Sequence, residues 1–312
     1  MSSTRTTKRR RAFLAAGSVL TMTALAACSS VDEGGAGGGA SGDGGSTLSK
    51  IQDAGTVNVA YNGEKPYSYD DGGELTGATI ALDKEVFGEL GVDSVEGTQT
   101  EWNSLIPGLN AGRYDTVSAG MSILPERCEQ AAFAEPTIMY TTAFLVPEGN
   151  PNNLTDWQSA IDAGITLAVT SGAIEDGYAQ KTGVKTITVG DSTDGLNAVV
   201  SGRADAFALT GISIRALADS TDEPVEATDA FVANIDGVAQ VGAGAEVFRK
   251  GDTELLEAYN EKLKPILEDK ERWLEIMEPF GFTEAEYPPA GLTADMLCEG
   301  DLKKISDELG LS

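Results

Sequence analysis

The sequence contains no histidine in its 312 residues. A Ser-His-Asp or Cys-His catalytic set is therefore impossible, because both need an imidazole that accepts and returns a proton. Cysteine is also rare and occurs at Cys28, Cys128 and Cys298, far apart in the chain. The common zinc, haem and iron–sulfur sites are built from histidine or clustered cysteine ligands. We therefore expect this chain to carry neither a metal nor a cofactor.

Basic residues are scarce as well. The chain has 22 Lys and Arg against 49 Asp and Glu, which gives a formal net charge of −27. Such a surface repels nucleic-acid phosphates and anionic lipid headgroups, so we expect no nucleic acid as a partner and no electrostatic attachment to a membrane. The hydrophobic content of 41% is that of an ordinary soluble globular protein, and the length suffices for two domains.

The first 28 residues have the pattern of an export signal. The basic stretch at 8–11 precedes an apolar segment, Ala12–Ala27, which is too short to span a bilayer. The segment ends in Leu25-Ala-Ala-Cys28, which resembles the bacterial lipoprotein box, where the cysteine becomes the lipidated first residue. We expect residues 1–27 to be removed and Cys28 to anchor the protein at the outer face of the cytoplasmic membrane. The residues from Arg10 to Leu14 also resemble a twin-arginine signal, so the choice between Sec and twin-arginine export stays open.

Residues 28–47 are rich in Gly, Ser, Ala and acidic residues and contain almost nothing apolar. Such a segment cannot bury enough surface to fold, and we predict a flexible tether. Since Cys28 is assigned to lipid, Cys128 and Cys298 are the remaining cysteines of an exported chain, and we predict a disulfide between them.

A strand followed by a helix places one arginine where ligands often bind. The buried run 116–119 predicts a strand, Gly120 permits a turn, and Pro125 suits the first turn of a helix that carries Arg127. In open α/β sheets ligands bind outside the carboxyl ends of strands, and a guanidinium matches a carboxylate bidentately. We predict that Arg127 anchors a ligand. The alternative is a surface ion pair with Glu126, Glu129 or Asp115 on a solvated helix.

The chain repeats one plan in two α/β lobes. The Gly-Leu-Asn-Ala sequence at 108–111 recurs at 195–198, and each copy leads through a Gly-Arg-x-Asp turn into a buried strand. We expect residues 48–146 and 241–312 to form one lobe and residues 147–240 the other, with 143–146 and 240–243 as crossing strands.

The second lobe contains its own candidate anion site. Residues 167–169 predict a strand, and a helix follows the turn at 170–172. Free N–H groups of Gly172 and Ala173 at the helix start can hold a carboxylate. The alternative is that this junction binds nothing, as is true of most strand–turn–helix junctions.

Taken together, these motifs resemble the extracytoplasmic solute-binding proteins of ABC importers, in the family that takes polar amino acids and related compounds (family 3). The resemblance runs from about Leu48 to Cys298 and is carried by four motifs: Glu64-x-Pro-Tyr67, Trp102-x-x-Leu-Ile-Pro-Gly-Leu-x-Ala-Gly-Arg-Tyr-Asp115, Ala119-Gly-Met-x-Ile-x-Pro-Glu-Arg127 and Gly202-Arg-Ala-Asp-Ala206. It implies a type II periplasmic-binding-protein-like fold with the ligand cleft between two lobes joined by two crossing strands. It also implies a monomeric receptor without catalytic activity, which closes on a small ligand and delivers it to membrane permease subunits.

Within that family the arginine after Pro-Glu binds the substrate carboxylate, and Arg127 occupies this position. Amino-acid binders usually carry an aspartate for the α-ammonium where this chain has Thr210. The resemblance therefore argues against a standard α-amino acid.

The ectoine and hydroxyectoine-binding subgroup is most similar, through the Glu64 motif and through Pro125-Glu-Arg-Cys128, Gly172-Ala-x-Glu175-x-Gly-Tyr178 and Pro279-Phe-Gly-Phe-Thr-Glu-Ala-Glu286. It implies a zwitterionic ligand whose carboxylate is held by Arg127 and by the N–H groups of Gly172 and Ala173. Its delocalised cation would be held by Glu64, Tyr67 and Trp102. The full expected site is Glu64, Tyr67, Trp102, Ser122, Arg127, Gly172, Ala173, Glu175 and Thr210.

Ser122 departs from the subgroup, which tends to carry an aromatic residue there, so either the aromatic cage is incomplete or another residue fills it. Two alternatives remain for the function. One is a receptor for a polar amino acid, and the other is a dehydratase-type enzyme on the same fold, with Glu64 and Glu175 as an acid/base pair.

Overall fold

The computed structural model describes residues 45–310. The predicted signal peptide, the lipidation site Cys28 and the tether up to residue 44 lie outside the described residues. Within the described residues, no helix combines the length and apolar character needed to cross a membrane.

Strands and helices alternate along the described chain. The strands are β1 Thr56–Tyr61, β2 Tyr69–Asp71, β3 Glu74–Thr76, β4 Ser94–Gln99, β5 Thr116–Ser122, β6 Ala132–Phe133, β7 Ile138–Tyr140, β8 Thr142–Pro147, β9 Thr166–Thr170, β10 Lys185–Val189, β11 Ala206–Thr210, β12 Val225–Ala227, β13 Asn234–Ile235, β14 Val238–Ala239 and β15 Gly242–Phe248. The α-helices are α1 Thr47–Ala54, α2 Ala78–Glu89, α3 Leu105–Asn110, α4 Pro125–Cys128, α5 Trp157–Ala163, α6 Ile174–Thr182, α7 Ser192–Val200, α8 Gly211–Asp219, α9 Thr253–Leu267, α10 Lys270–Met277, α11 Ala294–Glu299 and α12 Leu302–Leu309. Short 3₁₀ helices cover Trp102–Ser104, Glu278–Phe280 and Glu284–Glu286.

The first lobe is built on a six-stranded sheet with the order β4-β1-β5-β15-β6, and β7 also pairs with β15. Its central strand β5 is buried along its whole length, and β1 and β4 run parallel in register. Helix α2 buries Ile80, Leu82, Val86 and Phe87 and packs against β4 and β5 of this sheet.

The second lobe is built on a five-stranded sheet with the order β10-β9-β11-β8-β12. The two lobes are thus both α/β, and each presents the carboxyl ends of parallel strands to the other. Strand β8 pairs antiparallel with β11 from Thr142 opposite Thr210 to Leu145 opposite Phe207.

The pairing of β8 corrects the predicted lobe boundary. Residues 143–146 are a fully paired core strand of the second lobe rather than a crossing strand, because their apolar side chains fill that sheet. The chain therefore leaves the first sheet after Tyr140 and enters the second at Thr142. On the return path β15 begins at Gly242, opposite Tyr140, close to the predicted boundary at 240.

Two other local predictions need correction. Strand β5 does not end at Ala119 but continues through Gly120 to Ser122, where it pairs with β15. Gly120 has φ +55°, and a Cβ there would lie 2.6 Å from Cδ1 of Tyr67, so the close approach of the Tyr67 ring explains the glycine. Helix α1 was not predicted. It begins at Thr47, capped by Ser46, so the tether ends earlier than expected.

A disulfide joins Cys128 in α4 to Cys298 in α11, 170 residues apart in sequence. It ties the C-terminal helices to the helix that carries Arg127. A cross-link that closes a long loop restricts the unfolded chain, so its loss destabilises the folded state.

We expect the double variant Cys128→Ser/Cys298→Ser to lower the free energy of unfolding by about 2–4 kcal/mol. Urea unfolding of the variant and of the wild type measures this difference, and reduced wild type should resemble the variant. Two reactive thiols in the native non-reduced wild type, besides any at Cys28, would contradict the bond.

Candidate ligand-binding site

The predicted anchor Arg127 is buried between the lobes with 8% of its surface exposed. Its Nη1 donates to the carbonyl oxygen of Ser122 at 2.9 Å, and its Nη2 donates to that of Gly172 at 2.7 Å. None of the ion pairs found among residues 45–310 includes Arg127. The alternative of a surface ion pair with Glu126, Glu129 or Asp115 is therefore not what the structure shows.

Burial lowers the pKa of Arg127 to about 10, against the opposing influence of Glu126, Tyr140 and Glu175. The guanidinium thus stays charged at neutral pH. Carbonyl dipoles satisfy part of its hydrogen-bonding capacity but supply no counter-charge. A buried cation of this kind favours an anionic partner, because an uncompensated charge is costly away from water.

Trp102 stacks on Arg127. The guanidinium carbon lies 5.3 Å from the ring centroid of Trp102, within the range of a cation–π interaction. The indole Nε1 donates to the carbonyl of Gly172 in the other lobe at 3.4 Å. The aromatic face that was expected to hold a ligand cation therefore holds the protein's own cation.

The N–H groups of Gly172 and Ala173 were expected to be free to bind an anion, but both donate to acceptors within the protein. The N–H of Gly172 donates to Oδ2 of Asp176 at 3.1 Å, and that of Ala173 donates to the carbonyl of Thr170 at 3.0 Å. Local acceptors capture both groups before helix α6 begins at Ile174. Gly172 instead contributes its carbonyl oxygen, which receives the bonds from Arg127 and Trp102.

A chain of hydroxyl groups joins the lobes at Glu64. The hydroxyls of Tyr67 and Thr210 lie 2.9 Å apart, and Thr210 donates to Oγ of Ser213 at 3.0 Å. Ser213 donates to Oε1 of Glu64 at 2.7 Å. Glu64 and Tyr67 come from the first lobe and Thr210 and Ser213 from the second, so the Tyr67–Thr210 and Ser213–Glu64 bonds can form only when the lobes are together. Burial raises the pKa of Glu64, against the hydrogen bond from Ser213.

Tyr140 and Ser213 also lie at the site, although the sequence did not predict them there. The ring of Tyr140 packs edge-on against Tyr67 at a centroid distance of 6.0 Å, and its hydroxyl donates to the carbonyl of Gly120. Burial raises the pKa of Tyr140, and the charge of Glu64 adds to the shift. The position of Tyr140 in the chain could have indicated that it lies at the site, because it is the last residue of β7 before the chain crosses to the other lobe. Ser213 follows Thr210 by three residues, one helical turn, at the start of α8.

Phe282 also packs against Tyr67, with a centroid distance of 6.0 Å. Ser122 is buried but supplies only its carbonyl to the hydrogen bonds found at the site. Aromatic rings from β7 and from the 279–286 motif thus surround Tyr67, which itself is 2% exposed.

Glu175 is fully buried at the start of α6. Its Oε1 accepts a 3.4 Å hydrogen bond from the hydroxyl of Thr142, and its Oε2 has no partner among the described residues. The pKa of Glu175 is raised to about 8, mainly by burial and also by the charge of Glu64, while the hydrogen bond from Thr142 and the charge of Arg127 act in the opposite direction.

A cavity of about 550 Å³ opens between the lobes beside Arg127. Its lining includes Trp102, Ser122, Gly172 and Ala173 but not Glu64, Tyr67, Glu175 or Thr210. The site is thus divided. One half is open beside the guanidinium, and the other is closed by the direct bonds between Tyr67, Thr210, Ser213 and Glu64.

The sequence matches a known family over most of its length. The family model for bacterial extracellular solute-binding proteins, family 3, covers residues 57–283. The probable amino-acid ABC transporter periplasmic-binding protein y4tE of Sinorhizobium fredii is 35% identical over 226 residues, which are 70% of this chain and 75% of that protein.

Solved structures are similar as well. The crystal structure of EhuB in complex with hydroxyectoine superposes with a TM-score of 0.71 at 31% identity, over 82% of this chain and 98% of EhuB. The ancestral amino acid-binding protein AncCDT-1, a precursor of cyclohexadienyl dehydratase, superposes with a TM-score of 0.65 at 30% identity, over 75% of this chain and 99% of that one. Both cover both lobes of the described chain.

Proposed function

Because the chain belongs to the bacterial extracellular solute-binding proteins of family 3, we propose that it is the lipid-anchored receptor of an ABC importer for ectoine and hydroxyectoine. The type II fold and the role as an amino-acid-type ABC transporter binding protein follow from the family, and the ligand is the part proposed. The observation that supports this ligand is the buried guanidinium of Arg127, which forms no ion pair among residues 45–310, together with the carboxyl of Glu64 at the contact between the lobes.

The charges in the cleft suit a compact zwitterion. A ligand carboxylate beside Arg127 would supply the missing counter-charge, and the cavity there has the volume for a small molecule. A delocalised cation on the same molecule would reach Glu64 and the rings of Tyr67 and Tyr140. Tyr140 replaces Trp102 in this scheme, because Trp102 already stacks on Arg127.

Thr210 argues against a standard α-amino acid as the ligand. It offers a hydroxyl that is already bonded to Tyr67 and Ser213, so an α-ammonium group would find no carboxylate at this position. A cyclic amidinium spreads its charge over a ring, so aromatic faces can bind it together with the carboxylate of Glu64. The similarity to EhuB, whose structure contains hydroxyectoine, supports the same choice.

Closure of the lobes is the proposed signal to the importer. The bonds from Arg127 and Trp102 to Gly172, and the hydroxyl chain to Glu64, all cross between lobes. A ligand that contacts both lobes stabilises the closed form over an open one, and permease subunits can recognise that form. Residues 1–27 as a cleaved signal, lipid on Cys28 and a tether after it would hold such a monomeric receptor at the outer face of the membrane.

The second candidate is a receptor for a polar amino acid, which the name of the y4tE relative favours. A dehydratase-type enzyme ranks lower. Glu64 and Glu175 would have to act as the acid and base, yet each accepts a hydrogen bond from a hydroxyl group of the protein, Glu64 from Ser213 and Glu175 from Thr142. We propose binding without chemical conversion.

Calorimetric titration of the purified mature chain tests the proposal. We expect hydroxyectoine and ectoine to bind at least about tenfold more tightly than arginine, glutamine or cystine, which is a difference of about 1.4 kcal/mol. Mass spectrometry should recover the bound hydroxyectoine unchanged. Tighter binding of any of the three amino acids would replace the proposed ligand by the second candidate.

A further inference from the structure

Glu175 is a buried carboxyl group with half of its hydrogen-bonding capacity unused. Its exposed surface is 0%, its Oε2 lacks a partner among the described residues, and its Oε1 has only a long bond from Thr142. Buried polar atoms in folded proteins are nearly always bonded, so an unpartnered carboxyl oxygen needs an explanation. No ion pair among residues 45–310 involves Glu175, so it is not held by a cation of the protein itself.

Paired and hydrogen-bonded residues of β8, β11 and α8 connect Glu175 to Glu64. Glu175 starts α6 in the second lobe, whereas Glu64 lies in the loop after β1 in the first. Thr142, which donates to Glu175, lies opposite Thr210 in the pairing of β8 with β11, and Thr210 donates to Ser213, which donates to Glu64. The titratable groups that act on Glu175 or are acted on by it are Glu64 from the loop after β1, Arg127 from α4, Tyr140 from β7 and Tyr178 from α6.

We infer that Glu175 and Glu64 hold the ligand cation from opposite lobes, and that Glu175 releases its proton to solvent when the ligand binds. This inference rests on the proposed function and adds the chemical class of the cation: a delocalised cation with two N–H groups that point apart. One N–H donates to Glu64 and the other to Oε2 of Glu175. A cyclic amidinium has this arrangement, and so does a guanidinium.

The proton balance follows from the charges. Two carboxylates that share a buried site without a cation repel each other, so one of them keeps a proton. A bound cation removes that repulsion and bonds to the ionised form, so the carboxyl O–H bond breaks and the proton leaves to water or buffer. The ligand keeps its own protons throughout, and no other group changes its charge.

Proton release makes the affinity depend on pH. Since the pKa of Glu175 is raised to about 8, nearly all molecules carry this proton at pH 6 and must lose it to bind. Affinity should therefore rise about tenfold per pH unit between pH 6 and pH 7 and level off above about pH 8.

Calorimetry in buffers with different ionisation enthalpies measures the protons released. With hydroxyectoine at pH 6.5 we expect about one proton released per site in the wild type. We expect close to none in Glu175→Gln, whose affinity should be nearly independent of pH. The control Glu96→Gln removes an exposed carboxylate of β4 and should behave as the wild type does.

The outcomes separate this inference from the proposed function. Hydroxyectoine binding without proton release in the wild type overturns the inference and leaves the function intact, and this result needs no variant. Proton release that persists in Glu175→Gln but disappears in Glu64→Gln also overturns it. If hydroxyectoine does not bind but arginine binds and releases one proton, the inference holds and the proposed ligand fails. If neither compound binds, both fail.

Discussion

Replacing Arg127 by alanine is expected to lower the affinity for hydroxyectoine by about 3–5 kcal/mol, which is on the order of a hundredfold to several-thousandfold. The loss is large because the ligand carboxylate would remain buried between the lobes without its charged partner. Arginine suits this position because its guanidinium stays ionised, with a pKa of about 10, although only 8% of the surface of Arg127 is exposed.

Two controls separate the charge from other effects. Arg113→Ala removes an exposed arginine of the same lobe and should leave the affinity unchanged. Trp102→Phe keeps an aromatic ring but removes the hydrogen bond to Gly172 across the lobes, and should cost no more than about 1 kcal/mol. A calorimetric affinity of Arg127→Ala within threefold of the wild type would show that Arg127 is not the anchor. If Arg127→Ala and Trp102→Phe lose the same affinity, the loss would come from the weakened contact between the lobes and not from the charge of Arg127.

The position of Arg127 was predictable from the sequence because local signals determine it. A buried run, a proline that suits the first helical turn and an arginine two residues later place the side chain at a strand end, whatever the rest of the chain does. The partners of Arg127 were not predictable. Gly172 is 45 residues away and in the other lobe, and its carbonyl rather than its N–H faces the guanidinium.

Local competition explains the wrong prediction at Gly172 and Ala173. A helix N-terminus offers free N–H groups only if no nearby acceptor takes them, and here Asp176 and Thr170 do so. Tyr140 was missed for a different reason. Its role depends on the crossing between lobes, and the predicted crossing was displaced by a few residues because an apolar run such as 143–146 suits a connecting strand and a core strand equally well.

A second buried acidic pair, Asp83 and Glu246, lies away from the cleft. Asp83 on α2 is 1% exposed and accepts hydrogen bonds from Ser118 and from the hydroxyl of Tyr259, the latter at 2.7 Å. Glu246 on β15 is 4% exposed, and its Oε1 lacks a partner among the described residues. Burial raises the pKa of Asp83 to about 7, and burial together with the charge of Asp83 raises that of Glu246 well above its usual value.

The wild type should therefore be more stable in mildly acidic than in mildly alkaline solution. The unfolded chain ionises Asp83 near pH 4, whereas the folded protein keeps the proton up to about pH 7. Between these values the folded state binds more protons, so the free energy of unfolding falls as pH rises, by about 1.4 kcal/mol per pH unit for each such group. The contribution of Asp83 is complete below about pH 4 and is lost as pH rises through about 7, and Glu246 extends the decline to higher pH.

Urea unfolding between pH 5 and pH 8 measures the decline, and Asp83→Asn isolates its source. Asparagine keeps a hydrogen-bonding group of the same shape beside Ser118 and Tyr259 but has no proton to lose. Its unfolding free energy should decline less steeply than that of the wild type over this range, and the difference between the two proteins should grow towards pH 8. The exposed Asp93→Asn serves as the matched control and should follow the wild type. A wild type more stable at pH 8 than at pH 5, or an unchanged slope in Asp83→Asn, would mean that these carboxyls are ionised in the folded protein. The two charges would then have to be compensated by groups other than the hydroxyls that now surround them.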